Sequence, residues 1–250
     1  MTSSTSKKKG RLFLIPITIG TKNVDRYMPR ENIEIIKSVK TYVVENARTA
    51  RQFIRSILPD LDISTLNIYE ADKHKGYDYP KEKVLARLNC GEDIGLMSEA
   101  GCPAVADPGH RVVADCHQAN IKIEPLVGPS SILLSIMASG FSGQCFTFHG
   151  YLPYDQTKRK RMLLNWQKSC QQNGETHVFI EAPYRNDKLI RELIEVLSPS
   201  QRLCIAVDLT TPNEEIICRT ITNWKLKMDK GATYQKRPAI FLIGKYIQCD

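Results

Sequence analysis

The stretch Asp93-Ile-Gly-Leu-Met-Ser-Glu-Ala-Gly-Cys-Pro-Ala-Val-Ala-Asp-Pro-Gly109 decides the fold. Its first six residues, DIGLMS, are a short, nearly uninterrupted apolar run of strand length, and the eleven that follow are dominated by small residues, glycine and proline. Beyond them, HRVVADCHQA from His110 places apolar positions three or four apart, the spacing of a helix face. Strand, tight turn and helix in this order make a βα unit. In the turn, Gly101 and Gly109 can adopt positive φ while Pro103 and Pro108 fix the chain, so the backbone can lie rigid and close to a bound molecule. Glu99 and Asp107 offer carboxylates to ribose hydroxyls or an amino group. The same spacing equally serves a plain connection in which Asp107 caps the next helix.

Working outward, the pattern repeats from Leu12 to Leu126. LFLIPI (12–17), TYVVE (41–45), LNIY (66–69), DIGLMS (93–98) and IKIEPL (121–126) read as strands buried on both faces. ENIEIIKSV from Glu31, TARQFIRSIL from Thr49 and PKEKVLARL from Pro80 supply helices that cross between them. The expected N-terminal domain is a mostly parallel sheet with helices on both faces, whose ligands bind beyond the carboxyl ends of the strands.

After Gly140 the character changes. QCFTFHGYLP (144–153) reads as a strand running into a turn, and a basic helical segment, KRKRMLLNWQKS, begins at Lys158. HVFIE (177–181), LCIAVDL (203–209), EIICRT (215–220) and AIFLIG (239–244) read as strands, with one clear helix, NDKLIRELIEVL, from Asn186. The expectation is an α/β chain of two domains: a disordered basic tail (1–11), an N-terminal α/β domain (12–145) and a C-terminal mixed-sheet α+β domain (146–250). A cleft between two such domains is a usual place for a small-molecule site.

The composition excludes several classes. The 250 residues are 42% hydrophobic and 25% charged, as in ordinary globular proteins, and no apolar run approaches the ~20 residues that cross a bilayer. The first ten residues carry lysines without an apolar stretch after them, so no secretory signal is read and the expected location is the cytoplasm. The eight cysteines contain no CxxC pair and read as reduced thiols, and the five histidines show no paired ligand spacing, so no metal site is expected. The formal charge of +8 is uneven. Residues 12–144 are nearly balanced, with 15 basic and 16 acidic groups, whereas residues 145–250 hold 16 and 11. The second half and the tail are therefore biased toward an anionic partner, of which nucleic acid is the commonest; solubility alone is the bland explanation.

A second loop, Val127-Gly-Pro-Ser-Ser131, also follows a strand and opens an apolar helix, ILLSIMASG. Ser130 is a natural N-cap, and free backbone donors at that helix start can hold a carboxylate. There is no GxGxxG after the first strand, no GxxxxGK[ST] and no GxSxG, so ordinary dinucleotide binding, P-loop chemistry and a nucleophile elbow are not expected.

In order along the chain, IPITIG, VENAR, SEAGCPAVADPG, VGPSS, FTFHGYLP, FIEAPYR and DLTTPNEE resemble the tetrapyrrole-methylase superfamily of S-adenosylmethionine-dependent methyltransferases. They look most like its branch of bacterial small-subunit ribosomal RNA cytidine 2'-O-methyltransferases. The resemblance implies a homodimer, S-adenosyl-L-methionine as methyl donor in the interdomain cleft, no metal, and RNA, ribosomal in this branch, as acceptor. It maps cofactor contacts onto Pro16, Ser98, Glu99, Ala100, Gly101, Asp107, Ser130 and Ser131, and more loosely onto Glu181, Ala182, Val207 and Pro238. Glu45, Arg48 and Asp208 become the candidate catalytic residues, with Glu181 a further acid–base candidate and Arg185 a further orienting cation. A structural ion pair is the competing reading for each.

The chain departs from the branch pattern at Asn46, where an acidic residue is expected, and at Val207 and Thr211, where Arg and Lys are expected. A tetrapyrrole or protein acceptor, or a noncatalytic RNA-binding or cofactor-sensing homologue, therefore stays open. Lys158-Arg-Lys-Arg161 and the tail Lys7, Lys8, Lys9 and Arg11 suit phosphate contacts. Four cations at a helix start oppose its dipole unless an anion lies nearby. Tyr151, Tyr154 and Trp166 can stack bases or pack in a core.

Overall fold

The structure, a computed structural model, describes residues 8–21, 23–71 and 78–246. The chain divides into two compact units, Met1–Ser130 and Ser131–Asp250.

The first unit alternates strands and helices: β1 (Arg11–Leu14), α1 (Val24–Tyr27), α2 (Arg30–Ser38), β2 (Thr41–Val44), α3 (Ala47–Ile57), β3 (Asn67–Glu70), α4 (Lys81–Asn89), β4 (Ile94–Met97), α5 (His110–Gln118) and β5 (Lys122–Pro125). The strands form one parallel sheet in the order β3-β2-β4-β1-β5. Alternate side chains feed two cores. Phe13, Ile15, Tyr42 and Val44 pack with Ile36 of α2 and Phe53 and Ile54 of α3. Leu12, Val43, Ile94 and Leu96 pack with Val84 and Leu88 of α4 and Val112 and Cys116 of α5. The expectation that all five strands are buried on both faces holds for β2 and β4, whereas β3 and β5 are half-exposed because the topology puts them at the sheet edges.

The chain leaves β2 toward the β3 edge and leaves β4 over β1 toward β5, with the connecting helices on opposite faces. The two connections diverge, which opens a crevice at the carboxyl ends of β2 and β4, the place where sheets of this kind bind ligands.

The expected tail is corrected at its end. Arg11 already belongs to β1 and pairs with Asp93 at 2.8 Å and Glu124 at 3.4 Å. Gly10 donates its N–H to the Leu88 carbonyl, and a Cβ on it would fall 1.9 Å from the Glu92 carbonyl oxygen, so glycine lets the entering chain lie flat against the turn before β4. Lys9 donates to the Ala119 carbonyl at 2.8 Å. Residues 1–7, including Lys7, lie outside the described residues.

The second unit contains α6 (Ser131–Ser139), β6 (Phe146–Tyr151), α7 (Gln156–Asn173), β7 (Thr176–Ile180), α8 (Asn186–Val196), β8 (Arg202–Val207), β9 (Glu215–Thr220), α9 (Ile221–Asp229) and β10 (Ala239–Gly244). Its mixed sheet runs β6-β7-β10-β8-β9, with β6 and β7 parallel and the other neighbours antiparallel. Helices α7, α8 and α9 cover one face through Leu163, Trp166, Ile190, Leu193 and Trp224. Ile136 of α6 packs with Val178, Cys204, Ala206 and Leu242 on the other. This is why the division falls at 130/131 and not at the expected 145/146: α6, although apolar and directly behind the first unit's last turn, buries its stripe against the second sheet. Helix α9 was not read from the sequence. Its cap, the Thr220 hydroxyl, accepts from Asn223 N–H, and its fully buried Trp224 donates from Nε1 to the Leu203 carbonyl at 2.8 Å.

The first turn of α7 resolves the basic run. Asp155 caps the helix by accepting from Lys158 N–H at 2.7 Å, so an anion does lie at its start. Arg159 is buried, forms a fork with Glu192 of α8 at 2.7 and 2.6 Å, and donates to the Pro153 and Tyr154 carbonyls. Arg159 is therefore a structural tie rather than a phosphate contact, while Lys158, Lys160 and Arg161 are exposed. Trp166 is in the core, stacked on His149 and His177. Among the described residues all seven cysteines are free, with Cys116, Cys170 and Cys204 buried and Cys90 and Cys145 exposed. No described helix is long and apolar enough to cross a membrane.

Candidate active site

Three turns meet beyond the carboxyl ends of β4, β1 and β5. Ile17 and Gly101 form an antiparallel bridge, Ile17 N–H donating to the Gly101 carbonyl at 3.0 Å and Gly101 N–H to the Ile17 carbonyl at 3.2 Å. Gly101 has φ +68°, and a Cβ there would stand 3.2 Å from the Pro129 carbonyl oxygen. Gly128 lies so close to the Pro16 ring that a Cβ on it would fall 2.3 Å from Pro16 Cβ. Cys102 Sγ reaches the Pro129 carbonyl at 3.5 Å. Pro16, Gly101 and Gly128 are thus brought together as the motifs imply, and glycine is required because backbone itself forms the contact.

The turn 98–109 is bent further by Ala104 and Ala106, both with positive φ (67° and 61°), an unusual conformation for alanine. Asp107 holds it: Oδ1 accepts from Ala104 N–H at 3.0 Å and Gly109 N–H at 2.7 Å. The other oxygen, Oδ2, is buried without a hydrogen-bond partner. Burial pushes the Asp107 carboxyl above its ordinary range against those two amides, and the Glu45 charge pushes the same way. A void of about 10 Å³ lined by Glu45, Met97 and Asp107 marks the crevice between β2 and β4. Ser98 is buried and spends its hydroxyl on the Ala100 carbonyl. Glu99 and Ala100 are exposed, and Glu99 N–H donates to Glu45 Oε2 at 3.3 Å.

Asn46 caps α3, its Oδ1 accepting from Arg48 and Thr49 N–H at 2.9 and 3.0 Å. The departure from the branch pattern at this position therefore keeps an acceptor at the helix start. The Arg48 guanidinium is exposed and has no ion-pair partner among the described residues. Ser130 ends the first unit and Ser131 is the first residue of α6.

In the second unit the ends of β7 and β8 and the start of β10 lie side by side, since Ala239 pairs with Val207 and Ile240 with Ile180. Val207 is fully buried, so only its backbone can face a ligand, and Pro238 accepts at its carbonyl from Asp208 N–H at 2.9 Å. Asp208 and Thr210 both have positive φ, 48° and 69°. Of the two readings of Asp208, catalytic group or structural ion pair, the geometry shows the pair: its Oδ2 is held by Arg237 Nε at 2.6 Å. Arg237 also donates to Glu215 and to the Asn213 carbonyl, and Glu215 with Asp208 holds the guanidinium above its usual value. Arg237 carried no sequence signal, being one cation before a proline, yet it supplies beside Asp208 a cation the branch pattern places at Val207. Glu181 is also tied, accepting from Ala182 N–H at 2.8 Å and pairing with Arg185 at 3.1 Å, so neither it nor Arg185 is a free group. Thr211 serves the turn, donating its N–H to the Asp208 carbonyl.

The candidate residues fit an adenosyl sulfonium donor in one respect that the geometry exposes: Asp107 Oδ2 is an orphaned acceptor beside a cradle of backbone. No group of three or more His, Cys, Asp or Glu residues suited to a metal ion occurs among the described residues.

Compared with known proteins, residues 17–223 match the family Tetrapyrrole (Corrin/Porphyrin) Methylases. Over 206 residues, 82% of this chain and 67% of the relative, the sequence is 31% identical to the Ribosomal RNA small subunit methyltransferase I of Vibrio cholerae. The protein of the same name from Buchnera aphidicola is 30% identical over 242 residues, 96% of this chain and 80% of that one. The solved structure of uroporphyrin-III C-methyl transferase from Thermus thermophilus, complexed with S-adenyl homocysteine, is 13% identical with a TM-score of 0.54, covering 95% of this chain and 98% of its own. At that identity the likeness speaks to the fold.

Proposed function

We propose that this chain, which belongs to the tetrapyrrole (corrin/porphyrin) methylases, is an S-adenosylmethionine-dependent methyltransferase that modifies small-subunit ribosomal RNA at a ribose 2'-hydroxyl. The observation that carries the reading is the Ile17–Gly101 bridge with Gly128 against Pro16, which welds three strand-end turns into one rigid backbone surface at the carboxyl edge of the sheet. When bound, the donor supplies an electrophilic methyl on a cationic sulfur. Transfer in line with the leaving sulfur mainly demands positioning, which a surface of bridged backbone provides.

The geometry supports these roles. Asp107 Oδ2 accepts a hydroxyl or amino N–H of the donor. Pro16, Ser98 to Gly101 and Ser130 shape its seat in the first unit, and Ser131, Ala182, Val207 and Pro238 are the second unit's own candidates for donor contact. Glu45, at the mouth of the β2/β4 crevice, takes the proton of the acceptor hydroxyl, and the exposed Arg48 orients a neighbouring phosphate. Asp208 and Glu181 act as positioning residues, because each carboxylate is already engaged by an arginine. A cytoplasmic homodimer is part of the same reading.

The test is incubation of the protein and labelled S-adenosylmethionine with small ribosomal subunits from cells lacking this chain, followed by mapping of the labelled nucleotide. Label on one ribose is expected. Unlabelled subunits together with methylation of a uroporphyrin-like compound would replace the RNA reading with a tetrapyrrole one.

A further inference from the structure

An open cavity of about 410 Å³ lies within the second unit, lined by Tyr154, Arg159, Glu181, Arg185, Lys188 and Glu192 among others. No role above uses it as a binding site. It exists because β6 and β7 are parallel and end together, Tyr151 pairing with Ile180, so that the turns after them run side by side into the first turns of α7 and α8.

The charges of the lining nearly cancel. Arg159 is consumed by Glu192, and Arg185 by Glu181. Lys188 is exposed and has no ion-pair partner among the described residues, which leaves one net positive charge. Over it stands an unusually bare aromatic ring. Tyr154 is 83% exposed, and the Arg185 guanidinium lies 4.7 Å from its centroid, which fixes the orientation of one face. Tyr151, the last residue of β6, and Tyr184, in the turn after β7, are 66% and 63% exposed. Solvent-facing tyrosines beside a lone cation do not serve a core. They are the equipment by which proteins hold single-stranded nucleic acid, rings stacking bases and cations meeting phosphates.

We propose that this cavity seats one nucleotide of the single-stranded RNA substrate, its base stacked on Tyr154 and its phosphate at Lys188. The single uncompensated charge matches a single phosphate. The proposal rests on the RNA reading above and adds to it a site and two specificity residues, Tyr154 and Lys188.

Fluorescence anisotropy of a short labelled single-stranded RNA over a salt series tests it, with S-adenosylmethionine affinity measured by calorimetry on the same samples. Tyr154→Ala is expected to weaken RNA binding about tenfold. Tyr154→Phe is expected to bind as the parent does, since the stacking face is kept. Lys188→Gln is expected to lower the slope of log affinity against log salt by about 0.7, one phosphate contact. Donor affinity is expected to be unchanged in all three. If the parent binds RNA but Tyr154→Ala is not weakened, or the slope survives Lys188→Gln, the cavity is not the site and the RNA reading stands. A parent that neither binds nor methylates RNA removes both, and loss of donor binding in Tyr154→Ala would assign the ring to the donor and overturn the proposal.

Discussion

Asp208 is locked to Arg237, Nε donating to Oδ2 at 2.6 Å, while the same guanidinium reaches Glu215 from its Nη1. The pair joins the end of β8 to the chain just before β10, and with it the strained turn 208–211 is pinned. A carboxylate so engaged serves to position the turn. Asp208→Ala and Arg237→Ala are each expected to destabilise the protein by about 1–3 kcal/mol, and the double variant by clearly less than the sum. Urea denaturation of the four proteins measures it. Strictly additive losses, or Asp208→Asn abolishing turnover with stability untouched, would return Asp208 to the role of catalytic base.

The bridged turns predict a steric phenotype. A methyl on Gly128 would overlap the Pro16 ring, and Gly101 sits in the left-handed region beside the Pro129 carbonyl. Gly128→Ala is expected to cost about 1–3 kcal/mol of stability and to weaken S-adenosylmethionine binding, and Gly101→Arg to abolish that binding. Calorimetry reads both. Gly101→Arg with the parent's donor affinity would disconnect these turns from the donor.

The basic run at the start of α7 splits into two kinds of residue. Arg159 and Glu192 are 5% and 15% exposed at the side chain, so Arg159→Ala, which leaves Glu192 buried and unpaired, is expected to cost about 3–5 kcal/mol. Lys160→Glu, on an exposed neighbour, is expected to leave the melting temperature in place and to weaken RNA binding in a salt-dependent way. Thermal denaturation and anisotropy on the two variants separate the effects.

Acid stability is expected to depend on a pair of histidines, His177 buried and His149 half-buried. His149 Nε2 and His177 Nδ1 are 2.9 Å apart, so one donates and the other accepts, and His177 Nε2 meets the Ser169 hydroxyl at 2.6 Å. Burial depresses His177 to about 4, against the opposing pull of Glu175, and also lowers His149. Because the unfolded chain binds these protons first, stability is complete above about pH 6.5 and falls as pH drops toward 4, by roughly 3 kcal/mol for His177 in the limit. Glu175, held below its ordinary value chiefly by the Thr147 hydroxyl, adds its own loss only below about pH 4.5. Denaturant titrations across this range are expected to show a flatter slope between pH 6.5 and 4 in His177→Gln than in the parent; equal slopes would exclude the histidine as the cause.

The first unit was legible because its signals are local. Each strand of β1 to β5 and each helix of α2 to α5 is announced by an apolar run or stripe followed by glycine, proline or a polar cap, and Asn46 and Asp107 sit where such punctuation belongs. What was missed depended on partners far along the chain. Helix α9 is a short, mixed segment whose Ile221, Trp224 and Met228 are buried only once the second sheet is in place, Trp224 tying it to β8. Lys158-Arg-Lys-Arg161 looks uniform as a string, yet one of its four residues finds Glu192, thirty-three positions away, and leaves solvent.

Periodicity and turn chemistry in the sequence by themselves determined a two-part α/β chain, its elements apart from such helices as α9, and the ordered motifs that carry the family likeness. Tertiary structure alone decided which distant charged groups are spoken for: Arg237 takes Asp208 and Glu192 takes Arg159. The reason is that strand and helix periods are set by neighbours a few residues apart, whereas these ion pairs are set by which helices and strand ends the fold brings within about 3 Å of one another.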